Sequence, residues 1–317
     1  MIFLVAAPAD GGNAASLSLL QLARRFSPGG TRVEEVTKAM LRTRLAATPP
    51  FLQRITPPES CVAFDMAGLL YLRDVHKRVL LADDDLEAAL GGAGLGDDML
   101  LDLAAALETS SRVLVFSETL REELERFTGV APATVTAPAL PPFRDPPGEK
   151  AGSILVFDHL GDAGLLAEAG SILKRVAPER NLVLATSPLE NVRTRSFFQA
   201  APQLAHAHLH IGVPVPQRLG NRLADSFACR RPVIQWIPAN GSIGGTPASG
   251  QADAILRDRV SGFLCNDGAG LEAALGHIAS DPAILEIVLR NGDRVVEANN
   301  LKFESAFQEL AIEELRA

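Results

Sequence analysis

Two glycine-bearing segments carry the residue types that hold phosphates and hydroxyls. In PADGGNAASLSLLQLARRF, an apolar run ends at Asp10, and Gly11, Gly12 and Asn13 lead into an amphipathic stretch. A loop of this kind at a helix N-terminus presents free backbone N–H groups to an anion, although a paired glycine before a helix is also an ordinary tight turn. In PQRLGNRLADSFACRRPVIQW, Gln217, Asn221 and Asp225 recur every fourth residue around Gly220, ahead of the basic pair Arg230 and Arg231. Those on a helix share one face and can grip hydroxyls or phosphates. The plainer alternative is a solvated first turn with Asp225 set against the helix dipole.

Two further clusters bring titratable groups together. His206, His208 and His210 alternate along AHAHLH, which places all three on one face of a strand. No acidic or cysteine partner lies nearby to complete a tetrahedral set, so the expectation is a polar strand face and no bound metal. Asp83, Asp84 and Asp85 follow an apolar run. They suit a general base or a cation site, and equally an acidic helix start.

Elements that position such loops follow from the hydropathy pattern. Short runs of Val, Ile, Leu and Phe alternate with longer amphipathic stretches, the pattern of parallel strands joined by helical crossovers, so the fold class is α/β. The first half predicts strands at Ile2 to Ala7, Cys61 to Asp65, Arg78 to Ala82, Arg112 to Phe116 and Thr134 to Ala137. Helices are predicted near Ala14 to Phe26, Met99 to Glu108 and Glu118 to Phe127, the last with Ser117 as N-cap. A proline-rich stretch from Pro138 to Gly152 reads as a linker, with the boundary near residue 148. Beyond it, strands are predicted at Ser153 to Phe157, Asn181 to Ala185, His208 to Val213 and Pro232 to Trp236, with two more helices after Gly270. A second doubly wound domain results.

A length of 317 residues favours two domains, since single cores rarely grow beyond about 250 to 300 residues. The net charge of −8 and the sequence pI near 5.3 exclude a protein built mainly to bind a nucleic-acid backbone. Cys61, Cys229 and Cys265 are widely spaced and read as buried, reduced thiols. The opening MIFLVAAP reads as a strand, with no basic residues before it, and no run reaches the roughly 18 apolar residues of a membrane span. A cytoplasmic protein, with at most peripheral contact with a membrane surface, is expected.

In order, several segments resemble the group 1 retaining glycosyltransferases of the GT-B fold. SSRVLVFSETLREELERFTGVAPATVTAPALPPF resembles the family's last N-domain unit and linker. ADSFACRRPVIQW resembles the helix and strand that follow its donor site, and DRVSGFLCNDGAGLEAALGHIASDP the next segment. NNLKFESAFQELAIEEL resembles the closing helix that crosses back to the N-domain.

This resemblance implies two Rossmann-like domains facing a cleft: residues 1–148 on the acceptor side, 149–299 on the nucleotide-sugar side, and 300–317 as the returning helix. It implies transfer of a sugar from a nucleoside diphosphate sugar to a hydroxyl of a saccharide, lipid-linked glycan or protein, with retention and without a metal or resident cofactor. The donor residues it implies are Gly11, Gly12, Asn13, His159, Gln217, Arg218, Gly220, Asn221 and Asp225, with Asp83 or Asp84 on the acceptor side.

Gln217 and Asp225 stand where the family has two glutamates, and His159 and Asp162 where it has the basic pair for the diphosphate. Arg218, Arg230 and Arg231 are the candidates to supply the missing charge. Those departures equally fit a pseudo-enzyme that keeps the fold and serves as a binding or regulatory partner.

Overall fold

The computed structural model describes residues 2–6, 14–27, 32–35, 60–82, 99–140, 152–186, 205–212, 222–238 and 256–316. The chain divides into two compact units, Met1–Pro138 with Asn300–Ala317, and Ala139–Asn299.

In the first unit the strands are β1 (Ile2–Ala6), β2 (Arg32–Glu35), β3 (Ser60–Ala63), β4 (Lys77–Ala82), β5 (Arg112–Val115) and β6 (Ala133–Thr134). They form one sheet in the order β2-β1-β3-β4-β5-β6, every neighbouring pair parallel. Its helices are α1 (Ala14–Phe26), α2 (Met66–Tyr71), α3 (Leu100–Glu108) and α4 (Glu118–Thr128). Strands β3 and β4 are buried almost end to end, as in a sheet covered on both faces. Leu69 and Leu70 of α2, Leu103 and Leu107 of α3, and Leu120 and Leu124 of α4 share one core with Leu80 and Val115. Helix α4 begins where Ser117 Oγ accepts from Leu120 N at 3.2 Å. It ends at Gly129, whose φ of 74° suits a residue without a Cβ.

The second unit contains β7 (Ile154–Asp158), β8 (Leu182–Thr186), β9 (Ala207–Ile211), β10 (Val233–Trp236) and β11 (Phe263–Cys265). The order β11-β10-β9-β7-β8 is again wholly parallel. Its helices are α5 (Ala163–Val176), α6 (Leu223–Ala228) and α7 (Gly268–Ser280), followed by the start of α8 (Pro282–Phe307).

Alternation along these strands separates two faces. Val156, Leu209, Ile211, Ile234 and Trp236 pack with Ile172 of α5 and Leu271 of α7. Leu155 and Phe157 face the opposite way, with Cys229. Both units are therefore doubly wound parallel α/β folds, the class predicted from sequence.

The chain passes back into the first unit within α8. Its last turns are fixed there by Phe303, whose ring centroid lies 6.3 Å from that of Phe26 and 6.2 Å from that of Phe116. Phe307 lies 6.3 Å from Phe64. A π-helical stretch, Gln308–Glu313, and α9 (Glu314–Arg316) follow, and Arg112 reaches Glu314 at 3.1 Å. The three cysteines are free and buried, and burial pushes the Cys61 and Cys265 thiols up to about 12. Among the described residues, no helix is long and apolar enough to cross a membrane.

Candidate functional site

In an open parallel sheet, ligands settle beyond the carboxyl ends of the strands where the winding reverses. In the second unit β7 lies between β8 and β9, so the reversal falls between β7 and β9. His210 is the penultimate residue of β9 and pairs in register with Phe157 of β7 and Gln235 of β10. All three side chains therefore lie on the face opposite Ile211 and Trp236.

His210 is the hub of a hydrogen-bonded row. Its Nε2 is 2.9 Å from Ser226 Oγ on α6, and its Nδ1 is 3.1 Å from Nε2 of His159, just beyond β7. The two imidazoles are 16° from parallel with centroids 5.3 Å apart, an edge-to-edge placement that suits a ring-to-ring N–H···N bond. The His210 ring stacks on Phe157, 4.3 Å between centroids and 8° from parallel.

Ser226 and His210 are wholly buried, whereas His159 is partly exposed. Burial pushes His159 down to about 4 against a smaller opposing pull from Asp158. It pushes His210 well below the usual histidine value, with His159 and His208 adding to the effect. Both rings are neutral near pH 7. His208 and His210 are thus buried, which corrects the polar strand face expected from AHAHLH: α6 and the neighbouring strands cover what the sequence alone leaves open.

The turn after β7 is closed by its own carboxylates. Asp158 Oδ1 accepts from Leu160 N at 3.1 Å and Gly161 N at 2.9 Å. Asp162 caps α5, its Oδ1 accepting from Gly164 N at 2.8 Å and Leu165 N at 3.3 Å. The helix N-terminus beside β7 therefore already carries a negative charge. Gly212 follows β9 with φ 89°, and a Cβ there would lie 2.7 Å from Leu160, so only glycine fits without movement.

Asp225 sits in the first turn of α6, as predicted, but it is buried, not solvated. Its Oδ1 accepts from Leu140 N at 3.0 Å and from Arg222 Nη2 at 2.6 Å, and its Oδ2 from Arg222 Nε at 3.0 Å. Any hydroxyl reaching this carboxylate must share it with those donors. Arg222, at the α6 N-cap, was not singled out in the sequence; its spacing of three from Asp225 is the signal that marks the pair.

The basic pair lies elsewhere. A crossover helix runs against its strands, so residues between α6 and β10 stand at the amino edge of the sheet. Arg230 is paired there with Asp293 of α8 at 3.1 Å, its side chain 77% exposed. Burial lowers the pKa of His206, which precedes β9, and the nearby charges of Arg180 and Arg231 lower it further. Neither member of the pair stands at the carboxyl edge, which corrects the expectation that Arg230 or Arg231 supplies charge at a phosphate site.

Of the donor and acceptor-side residues that the resemblance implies, the structure describes His159 and Asp225. Gly11, Gly12, Asn13, Asp83, Asp84, Gln217, Arg218, Gly220 and Asn221 lie outside the described residues. Among the described residues, no group of histidine, cysteine and carboxylate side chains is placed to hold a metal.

No family model and no curated protein matches the chain. It is similar to the solved structure of HepE from Anabaena in complex with UDP and glucose, at 13% identity and a TM-score of 0.49 over 98% of this chain and 100% of that one. A second similar structure is the glycosyltransferase SnogD from Streptomyces nogalater, at 15% identity and a TM-score of 0.41 over 98% and 99%. A third is the spinosyn forosaminyltransferase SpnP, at 12% identity and a TM-score of 0.42 over 100% and 99%.

Proposed function

We propose that this chain is a GT-B glycosyltransferase that moves a sugar from a nucleoside diphosphate sugar to an acceptor hydroxyl with retention of configuration. In that reaction the bond from the anomeric carbon to the diphosphate oxygen breaks, the acceptor oxygen bonds that carbon, and the hydroxyl proton is released. The donor sits on the second unit at the carboxyl ends of β7 and β9, and Asp83 or Asp84 serves the acceptor side. Gln217 and Asp225 hold the donor's hydroxyls, and the Gly11 to Asn13 loop supports the departing diphosphate, with no resident metal or cofactor. Such transfers depend mostly on positioning and on donors aimed at developing charge. The enzyme works in the cytoplasm, with at most peripheral contact with a membrane.

One observation carries this reading. The second unit's winding reverses at β7 and β9, where the resembling family places its donor, and that edge bears the hydrogen-bonding row His159, His210 and Ser226. The order of the resembling sequence segments, with α8 returning to the first unit, agrees with it.

The capped N-terminus of α5, and the amino-edge position of Arg230 and Arg231, favour a second reading: a non-catalytic member of the same fold that binds a partner protein. Calorimetric titration of the protein with UDP, GDP and their common sugar conjugates decides between them. Saturable micromolar binding that Gln217→Ala weakens supports the transferase. Absence of binding at millimolar nucleotide sinks it in favour of the second reading.

A further inference from the structure

The row from Ser226 to His159 has a direction, and hydrogen-bond arithmetic fixes it. Ser226 Oγ is buried and has one partner among the described residues, His210 Nε2. If that nitrogen carried the proton and donated to the hydroxyl, the hydroxyl's own hydrogen would be left buried without an acceptor, a situation native structures avoid. Ser226 therefore donates, and His210 Nε2 accepts. His210 is neutral, so its single proton is on Nδ1, which donates to His159 Nε2 at 3.1 Å. His159, also neutral, then carries its proton on Nδ1, the nitrogen at the partly exposed end of the row. The stack of His210 on Phe157 holds the hub ring in plane.

We propose that Ser226 and His210 are positioning residues that lock His159 in its Nδ1–H tautomer, so that this N–H stands at the carboxyl edge of β7 as an uncharged donor to a phosphate oxygen of a nucleoside diphosphate. The ligand rests on the transferase reading; the tautomer relay does not. At this edge Gly164 N and Leu165 N are already bonded to Asp162, and His159, which follows β7 directly, offers a side-chain donor in their place. An uncharged N–H serves there without a cation of its own to desolvate.

Long-range proton–nitrogen NMR of protein labelled with ¹⁵N-histidine reads the tautomers directly, with His159→Gln and His210→Gln assigning the signals. The expected result near pH 7 is that both rings are neutral and protonated on Nδ1. Ser226→Ala is expected to shift both toward Nε2–H, and Ser226→Thr, which keeps the hydroxyl, to restore the wild-type pattern. An Nε2–H or charged His159 in the wild type overturns the relay, as does a His159 signal indifferent to Ser226→Ala. If the alanine variant does not fold, the wild-type and threonine spectra still decide.

Titration with UDP and GDP then tests the ligand. His159→Phe is expected to weaken binding roughly three- to tenfold, the effect of one lost neutral hydrogen bond. Equal binding by the wild type and His159→Phe overturns the phosphate assignment. If neither nucleotide binds the wild type, the transferase reading fails while the tautomer result stands.

Discussion

Each unit buries a polar cluster among its strands, and the two clusters are built in opposite ways. In the first, Arg78 lies buried near the amino end of β4 and is surrounded by acceptors. It donates to the carbonyls of Arg73 and of Val75 at 2.9 Å, to that of Ala106 at 3.4 Å, and to Thr109 Oγ1. It ties the turn before β4 to the end of α3. In the second unit the row at the carboxyl ends of β7 and β9 is made of neutral imidazoles and a hydroxyl, and it ends at partly exposed His159. A closed cluster is mortar between elements, and a row with an open end hands a hydrogen-bonding atom to whatever lies outside. Edge matters as much as residue type, because crossover geometry sends ligands to carboxyl ends and leaves amino ends to packing.

Removing the closed cluster has the largest expected effect on stability. Arg78→Met strands several buried carbonyls, and urea denaturation is expected to show a loss of about 3–5 kcal/mol. Nucleotide affinity of the protein that remains folded should not change. A loss below about 1 kcal/mol would break the comparison, since Arg78 would then hold nothing together.

Asp225 stands between the two types, at the ligand edge yet engaged by Leu140 and Arg222. Asp225→Ala leaves a buried N–H and a largely buried guanidinium without their carboxylate, and a loss of about 2–4 kcal/mol is expected. Asp225→Asn keeps one acceptor and should cost less. If the asparagine variant folds well and still loses nucleotide binding, Asp225 belongs to the site as well as to the packing.

The open row makes a signed prediction about pH. His159 is held at about 4 in the folded chain and returns to about 6.5 when unfolded. Between these values the unfolded chain binds more protons, so stability rises with pH across the window. This contribution is fully present above about 6.5 and is lost as pH falls towards 4. His159→Gln is expected to flatten the difference in unfolding free energy between pH 7 and 4 by on the order of 2 kcal/mol. Parallel wild-type and variant profiles would mean that His159 titrates normally and that the row is not as dry as its geometry indicates.

Most of this framework is legible in the sequence because parallel strands buried on both faces must be short and apolar, and runs such as RVLLA and SILVF have no other use. Elements that lack that signature escape. Strand β2 (RVEE) is a charged edge strand. β11 (FLC) is three residues long, and α2 (MAGLLY) is buried throughout its described length except at Tyr71, so it shows no period.

The candidate site is less legible for a different reason. His210 meets Ser226 across 16 residues and His159 across 51, and Asp225 meets Leu140 across 85. Only folding brings such partners together, so AHAHLH read alone looks like a polar face. The resemblance singles out His159 by its place after the first strand of the second unit, yet nothing local to FDHLGD says that a hydroxyl on α6 decides which of its nitrogens bears the proton.

The smallest expected effect tests the rule of edges itself. Arg230 is the kind of residue a sequence argument recruits for a diphosphate, and it adopts φ 54° just after α6, a conformation uncommon for a side chain of its size. Its partner is Asp293 on α8, in an ion pair exposed enough that solvent screens most of its strength. Arg230→Ala should change stability by no more than about 0.5 kcal/mol and leave UDP and GDP affinity at the wild-type value. If calorimetry instead shows tenfold weaker nucleotide binding with stability intact, Arg230 reaches the ligand. The division between amino-edge packing and carboxyl-edge chemistry would then fail for this unit.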